Sequence, residues 1–189
     1  MSDRLPLLRP ADLSDDQREL YDEIAGGPRA AGPQLFALTA PDGGLNGPFN
    51  AMLFAPRLGR ALQGLGSAVR YQTGLTARVR EIAILVVATR WDSAFERYAH
   101  EAVGRAAGLT EAEIIALRED ADLQLADPTE RAALSAVRAL VRRSDLDDGE
   151  FESAQAVLGH AALVELSTLV GYYATLALQL RLFRVPAPE

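Results

Sequence analysis

Four polar side chains in the middle of the chain have the types and the spacing for acid–base chemistry. Ser93, Glu96 and His100 follow one another at steps of three and four residues, so a helix would carry all three on one face. Glu81 lies in the preceding apolar stretch, where its carboxylate would be at least partly buried. An imidazole titrates near neutral pH, and burial raises the pKa of a carboxylate towards neutrality. The group is therefore a candidate general acid–base site.

Two other interpretations of these residues stay open. A Glu–His pair four residues apart is often an exposed helix pair that contributes only about 0.3–0.5 kcal/mol to stability. Glu81, Glu96 and His100 also resemble an iron or manganese ligand set, but one histidine with few flanking carboxylates is a sparse set, and we predict no metal. The second histidine, His160, is expected to cap or pack at a helix junction.

Helical patterns flank the candidate site on both sides. The run 82–88 is apolar throughout and would suit a buried strand by composition, but no second run of this kind exists to pair with it. Thr76 can instead cap a helix from 77 to about 90. The next helix would run from about 93 to 107 and end at Gly108.

Similar signals predict the remaining helices. Capping boxes open two of them, and proline at a first helical position opens a third. After residue 49 the leucines and valine at 58, 62, 65 and 69 recur at helical spacing, which predicts one apolar face. The other predicted helices cover 14–25, 110–119, 127–141, 149–158 and 161–183. The sequence thus predicts an all-α fold of seven or eight helices.

Composition narrows the possible functions. The 189 residues carry a net charge of −7 and no cysteine. The acidic balance argues against nucleic-acid partners and anionic membranes, and the missing thiols exclude cysteine nucleophiles and thiolate metal sites. The stretch 161–180 is interrupted by polar residues, so we expect a core helix rather than a membrane span. No targeting segment is visible, and we expect a cytoplasmic protein.

Phosphate-binding, dinucleotide-binding and serine-hydrolase motifs are all absent from the sequence.

One long segment, Gly26 to Pro48, is too rich in glycine and proline to form a helix, yet its leucines and phenylalanine predict that it is packed. Asn46, Phe49 and Asn50 lie where such a loop could cover a pocket, and we expect them to shape substrate specificity. The alternatives are an oligomer contact or a simple cover over the core.

The candidate site also carries a family resemblance. The stretch from Thr76 through Arg-Glu-Ile-Ala to Ala88, the run Phe-Glu-Arg-Tyr-Ala-His ending at His100, and Gly-Leu-Thr from Gly108 resemble the carboxymuconolactone decarboxylase superfamily, which includes AhpD-like alkylhydroperoxidases. The similarity is strongest over 58–117 and returns in the last helix. It implies an AhpD-like helical domain over 58–185, preceded by an extension over 1–57, and a homo-oligomer that is a trimer or a hexamer.

The resemblance also bears on the reaction. AhpD-like peroxidases place a Cys-x-x-Cys pair where this chain has Ser93 and Glu96. Serine and glutamate can neither attack a peroxide as a thiolate nor form the resolving disulfide. The thiol peroxidase reaction is therefore not expected here.

The decarboxylase branch of the superfamily implies a lyase that needs no cofactor and acts on a small carboxylated lactone. By resemblance His100 is the general acid, Glu96 orients it, and Glu81 acts in a proton relay. An arginine, Arg80 or Arg97, would hold the substrate carboxylate, unless each simply pairs with a neighbouring acid. The candidate substrate-binding residues are Arg80, Ser93, Arg97, Asn46, Phe49 and Asn50. The alternative function is a non-catalytic binding or structural member of the superfamily.

Overall fold

A computed structural model describes residues 4–27, 30–31 and 34–188 of the chain. These residues form eight α-helices and a short 3-10 turn, and the only β pairing among them is one isolated bridge between Thr39 and Leu45. The helices are α1 (Asp15–Ala25), α2 (Pro48–Leu53), α3 (Pro56–Tyr71), α4 (Ala77–Arg90), α5 (Ala94–Ala106), α6 (Glu111–Arg118), α7 (Pro128–Arg143) and α8 (Asp148–Phe183). The prediction of an all-α fold with seven or eight helices is confirmed.

Side-chain caps explain where most of these helices begin. Ser14 and Thr110 open capping boxes on α1 and α6, each with the residue three positions on. The Thr76 hydroxyl accepts a hydrogen bond from a backbone N–H in the first turn of α4, and Asp127 does the same for α7. These side chains satisfy N–H groups that have no partner within the helix, which is why sequence signals located the helix starts well.

The break expected near residue 159 is present, although α8 runs past it. Gly159 has φ 75° and ψ 166°, which is not helical, while the residues on both sides keep helical hydrogen bonding. The two helices predicted over 149–158 and 161–183 therefore meet at a glycine kink. The left-handed backbone at this position favours a residue without a side chain.

Helix α4 lies at the centre of the fold. It packs against α5, α6, α7 and α8, and every residue from Ile82 to Ala88 is buried. A helix that is apolar on all sides is expected in a core. The apolar run that could have been a strand is thus a central helix, as predicted, and it carries Glu81 at its edge.

Helix α3 differs from its predicted orientation. Val69 is buried and Leu62 partly buried, but Leu58 is 64% exposed and Leu65 also lies at the surface. The buried side of α3 holds Gly59, Gln63 and Gly66 instead. Glycine lets the backbone of α2 approach more closely than a leucine would, so helix–helix contact is made through the small residues.

The glycine- and proline-rich segment is packed where the structure describes it; Pro28, Arg29, Gly32 and Pro33 lie outside the described residues. Leu38 and Leu45 are buried, whereas Leu35 is exposed. The Tyr21 hydroxyl donates a 2.8 Å hydrogen bond to the carbonyl of Gly43, which ties the segment to α1. The segment ends in the short helix α2, which was not predicted as a separate element.

One helix, α8, is long and apolar enough to cross a membrane by length and composition. It nevertheless packs against α7, α4 and α3. Leu166, Leu169 and Leu176 are buried in the main core, and Leu180 is buried against Phe95 and Ala99 of α5. This arrangement agrees with the core helix predicted for 161–183.

Candidate functional site

The candidate site is built around a short contact between α4 and α5. Nδ1 of His100 lies 2.6 Å from Oε2 of Glu81, and the two residues are only 7% and 2% exposed. An imidazole nitrogen that contacts a carboxylate is held in one orientation, and its other nitrogen is left for chemistry. The family resemblance assigned the role of orienting His100 to Glu96, whereas the short contact in the structure is made by Glu81.

The second ring nitrogen of His100 points towards Glu96, one helical turn earlier on α5. Nε2 lies 3.7 Å from Oε2 of Glu96, which is too long for a direct hydrogen bond. Glu96 is 2% exposed. His100 therefore lies between two buried carboxylates, with its Nε2 side open enough for a small bridging group.

A guanidinium completes the charge balance of this cluster. Nη1 of Arg70, in the last turn of α3, lies 3.7 Å from Oε1 of Glu81. Burial alone would lower the pKa of Arg70, but the nearby Tyr173 and Glu81 outweigh it and raise that pKa, so the guanidinium stays charged. Arg70, Glu81, Glu96 and His100 therefore form one cluster of ionisable side chains where α3, α4 and α5 meet.

Two tyrosines of α8 form the apolar wall beside the imidazole. The rings of His100 and Tyr173 meet edge to face with centroids 5.1 Å apart, and Tyr172 packs on Tyr173 in the same manner. Burial, then the charges of Glu81 and Glu96, raise the pKa of Tyr173 well above its usual value. Its phenol is therefore a neutral group that can donate a hydrogen bond at any physiological pH.

This raised pKa predicts a loss of stability in alkali. Above about pH 10 the unfolded chain loses the Tyr173 proton while the folded chain keeps it, so the free energy of unfolding should fall by up to about 1.4 kcal/mol per pH unit from this residue. Chemical denaturation of wild type and Tyr173→Phe between pH 8 and 11.5 measures the effect, and the wild type should lose stability more steeply. The chain has no lysine or cysteine, so few other side chains titrate there.

Tyr71→Phe is the matched control, because Tyr71 is exposed and its phenol meets solvent in both states. We expect its stability to follow the wild-type curve. Parallel curves for wild type and Tyr173→Phe would contradict the prediction.

The space beside the cluster is small. It is a cavity of about 20 Å³, which is room for about one water molecule. Glu96, His100 and Arg70 supply its polar wall, and the apolar wall consists of Phe36, Pro48, Phe49, Phe95, Ala99, Tyr172, Tyr173 and Leu176. Any substrate larger than water requires the apolar wall to move.

The structure places the other predicted polar residues in different surroundings. The hydroxyl of Ser93 is buried and has no hydrogen-bond partner among the described residues. Arg97 pairs with Asp92 at 2.9 Å, and Arg80 contacts the Thr73 hydroxyl at 3.3 Å. Neither arginine lines the cavity. Arg97 has the acidic neighbour that was the alternative to a substrate contact, whereas Arg80 contacts a hydroxyl rather than an acid.

The three loop residues predicted to bind substrate separate in the same way. Phe49 is buried and lines the cavity. Asn50 holds the N-terminal segment instead, because its side chain donates to the carbonyl of Pro6 and accepts from the N–H of Leu8, both at 3.0 Å. The Asn46 side chain donates to the carbonyl of Ala37 at 2.9 Å.

Sequence reasoning did not select Arg70 and Tyr173 as site residues. Tyr173 belongs to the stretch of the last helix in which the family resemblance returns, so a signal for it was present. Arg70 carries no local signal, since its approach to Glu81 depends on how α3 crosses α4. Among the described residues no group of three His, Asp or Glu side chains has a geometry suited to holding a metal ion.

Comparisons with known proteins match the site-bearing part of the chain to one family. Residues 56–139 match the model of the carboxymuconolactone decarboxylase family. The fold is similar to an Agrobacterium tumefaciens protein of unknown function described as a putative antioxidant defence protein AhpD, with a TM-score of 0.67 and 23% identity over 74% of this chain and 97% of that one. It is also similar to an uncharacterized peroxidase-related protein with an alkylhydroperoxidase AhpD core from Ralstonia eutropha, with a TM-score of 0.76 and 17% identity over 98% of this chain and 92% of that one. A comparison with curated proteins found no match.

Proposed function

We propose that this chain, which belongs to the carboxymuconolactone decarboxylase/AhpD-like superfamily, is a lyase that decarboxylates a small carboxylated lactone or a related unsaturated acid without a cofactor. The observation that carries the proposal is His100 held between two buried carboxylates, with Nδ1 bonded to Glu81 at 2.6 Å and Nε2 facing Glu96. That geometry suits proton transfer at Nε2.

The proposed step moves one proton and breaks one bond. The bond between the substrate carbon and its carboxylate breaks, CO₂ leaves, and the electron pair is delocalised onto the lactone carbonyl as an enolate. Nε2 of His100 then delivers its proton to the carbon, and the neutral imidazole regains a proton from water. Glu81 stabilises the imidazolium and fixes its orientation, as an acid beside a catalytic histidine does in other enzymes.

The cation for this reaction is Arg70, in place of the predicted Arg80 and Arg97. Its guanidinium lines the cavity and stays charged. A fixed positive charge in a poorly hydrated site stabilises a developing enolate more strongly than it would in water. The neutral phenol of Tyr173 is a second donor for the same oxygen.

Thiol-based redox chemistry, which the names of the two similar structures suggest, would require cysteine. The chain contains no cysteine, and a peroxide reduction that cycles through a disulfide needs two. The proposal therefore keeps the fold of the AhpD-like proteins and assigns the site to acid–base chemistry.

A second candidate function has one observation in its favour. The cavity beside His100 has a volume of only about 20 Å³, as a member that has lost catalysis and serves as a binding or structural protein could have. The two candidates differ in whether the carbon that loses CO₂ receives a proton derived from solvent.

The experiment that tests the proposal follows that proton. The enzyme is incubated in D₂O with a panel of unsaturated γ-lactones bearing a carboxylate and with muconate-like diacids, and NMR follows both the loss of CO₂ and deuterium at the carbon that carried it. We expect both signals from at least one lactone. A folded enzyme that produces neither signal with any member of the panel would support the non-catalytic function.

We further propose that the chain forms a homo-oligomer, either a trimer or a hexamer. Large apolar side chains lie exposed on two helices, Leu58 and Leu65 on α3 and Val164, Leu178 and Leu182 on α8. Helices α3 and α8 pack against each other, and a surface patch that combines exposed apolar side chains of both would be a candidate contact surface.

Light scattering after size exclusion should give a mass that is a multiple of the 20.3 kDa chain. Val164 is 65% exposed, and we expect Val164→Glu to shift the mass towards one chain because it would bury a charge in the contact. Ser135→Glu adds the same charge at an exposed position on α7 and should leave the mass unchanged. A single-chain mass for the wild type at micromolar concentration would overturn the proposal.

A further inference from the structure

A second pocket lies on the other side of the segment that covers the acid–base cluster. It has a volume of about 330 Å³, within the range of small-molecule sites, whereas the cavity at His100 holds about one water molecule. We call it the terminal pocket, because residues near both ends of the described chain form it: Leu5 and Leu7, the segment 45–47, Asn50, and the tail 183–188.

One short strip of chain separates the two spaces. Asn46, Gly47 and Asn50 line the terminal pocket, while Pro48 and Phe49 line the cavity at His100. Neighbouring residues of the strip therefore face different sides. A ligand in the terminal pocket would lie within one layer of side chains of the acid–base cluster.

The contact that closes this partition is between Gly47 and Phe95. Gly47 has φ 61°, and a Cβ built on it would overlap the ring of Phe95, so the backbone lies directly on the ring. Phe95 also lines the cavity at His100, and Val185 of the terminal pocket packs against the same ring cluster. Gly47 and Phe95 therefore lie between the two spaces.

The lining of the terminal pocket indicates the class of its ligand. Leucines, valine and prolines make up most of the wall, which suits an apolar body. The side-chain oxygen of Asn50 already accepts from Leu8, and its NH₂ group already donates to Pro6. The charged group on the wall is Arg184, which is exposed and has no ion-pair partner among the described residues. A small acid with an apolar body meets both features.

We infer that the terminal pocket is the entry site for the substrate, and that it binds a small carboxylate with its apolar body against Leu7 and Val185 and its charge towards Arg184. The inference rests on the proposed function for the identity of the reaction, but binding in the pocket does not require turnover. Gly47 and Phe95 then separate the bound acid from His100 until the strip moves.

Binding is measured by isothermal titration with cyclohexanecarboxylate, and cyclohexanecarboxamide serves as the uncharged probe of the same shape. We expect the wild type to bind the acid and to bind the amide more weakly. Leu7→Trp fills the pocket and should weaken binding of the acid more than tenfold. Ile115→Trp, at an exposed position of α6, is the matched control and should bind as the wild type does.

The charge is tested separately. Arg184→Gln should weaken binding of the acid about three- to fivefold, as expected for an exposed ion pair, and leave the amide unaffected, whereas Arg57→Gln should change neither. Absence of binding to the wild type, or equal binding by Leu7→Trp, would overturn the inference. Equal loss for acid and amide in Arg184→Gln would overturn the role of the arginine.

His100→Asn distinguishes this inference from the proposed function. If the pocket is the entry site, the variant binds cyclohexanecarboxylate as the wild type does. If the wild type binds the acid but turns over no lactone, the pocket is still a binding site and the decarboxylase proposal fails. If Leu7→Trp turns over the lactone as fast as the wild type does, the decarboxylase proposal stands and the entry-site inference fails.

Discussion

Replacement of His100 by asparagine is expected to lower turnover of the best lactone substrate by a factor of about 10² to 10⁴, the usual contribution of a general acid. Asparagine can still bond to Glu81 in the space of the imidazole, so the contact between α4 and α5 survives. It cannot deliver a proton from the position of Nε2. Steady-state rates of CO₂ release, together with thermal unfolding of both proteins, measure the change.

The other histidine provides the matched control. His160 lies at the surface of α8 beside the Gly159 kink, so His160→Asn makes the same chemical change outside the site and should leave turnover unchanged. The turnover of Glu96→Gln should lie between those of the two histidine variants, because this substitution removes a charge next to Nε2 but keeps the shape of the side chain. Full activity of a folded His100→Asn would show that the histidine is not the acid.

The parts of the site that could be predicted are those with local signals. Caps such as Ser14 and Thr110 mark helix starts within three residues of sequence, and the spacing of Glu96 and His100 places them on one face of α5. The contact between Glu81 and His100 joins residues of two different helices, α4 and α5. The family resemblance includes both residues but gave the orienting role to Glu96, whereas the 2.6 Å contact is made by Glu81.

The roles of charged and polar residues were harder to predict, because such a side chain can form its hydrogen bonds and ion pairs with nearby residues or can reach into a site. Arg97 pairs with Asp92, and Asn50 binds the backbone of the N-terminal segment. Nothing in the local sequence distinguishes Arg97, which pairs nearby, from Arg70, which reaches the cluster. The same holds for the asparagine, whose local bonding the sequence does not reveal. The deciding factor is how α3 lies across α4, and this depends on the whole core.

Helix α3 shows the same limit for apolar residues. Its leucines at helical spacing predict a buried face, yet Leu58 is exposed while Gly59 and Gly66 face inwards. A hydrophobic pattern identifies the helix but not which side its neighbours occupy. In α3 the choice is made by close backbone contact, which no hydrophobicity pattern reports.

The close contact between α2 and α3 leads to the second prediction of a large effect, a loss of stability on substitution of Gly59. Gly59 lies where α3 meets α2, and a Cβ on it would overlap the carbonyl of Met52 and lie 2.8 Å from a methyl group of Leu20. The backbone of Met52 cannot rotate away as a side chain could. We expect Gly59→Ala to lower the free energy of unfolding by about 2–3 kcal/mol, the usual cost of forcing extra atoms into a packed core. Urea denaturation followed by circular dichroism measures it.

Gly64 on the same helix makes the comparison sharp. A Cβ at Gly64 would meet no atom within 4 Å, so Gly64→Ala removes only the conformational freedom of glycine and should raise the free energy of unfolding by about 0.5–1 kcal/mol. The same substitution thus has opposite signs five residues apart. Because α2 carries Phe49 into the wall of the cavity, Gly59→Ala should also reduce turnover, whereas Gly64→Ala should not. A stabilising Gly59→Ala would show that α2 does not rest on α3 as the structure has it.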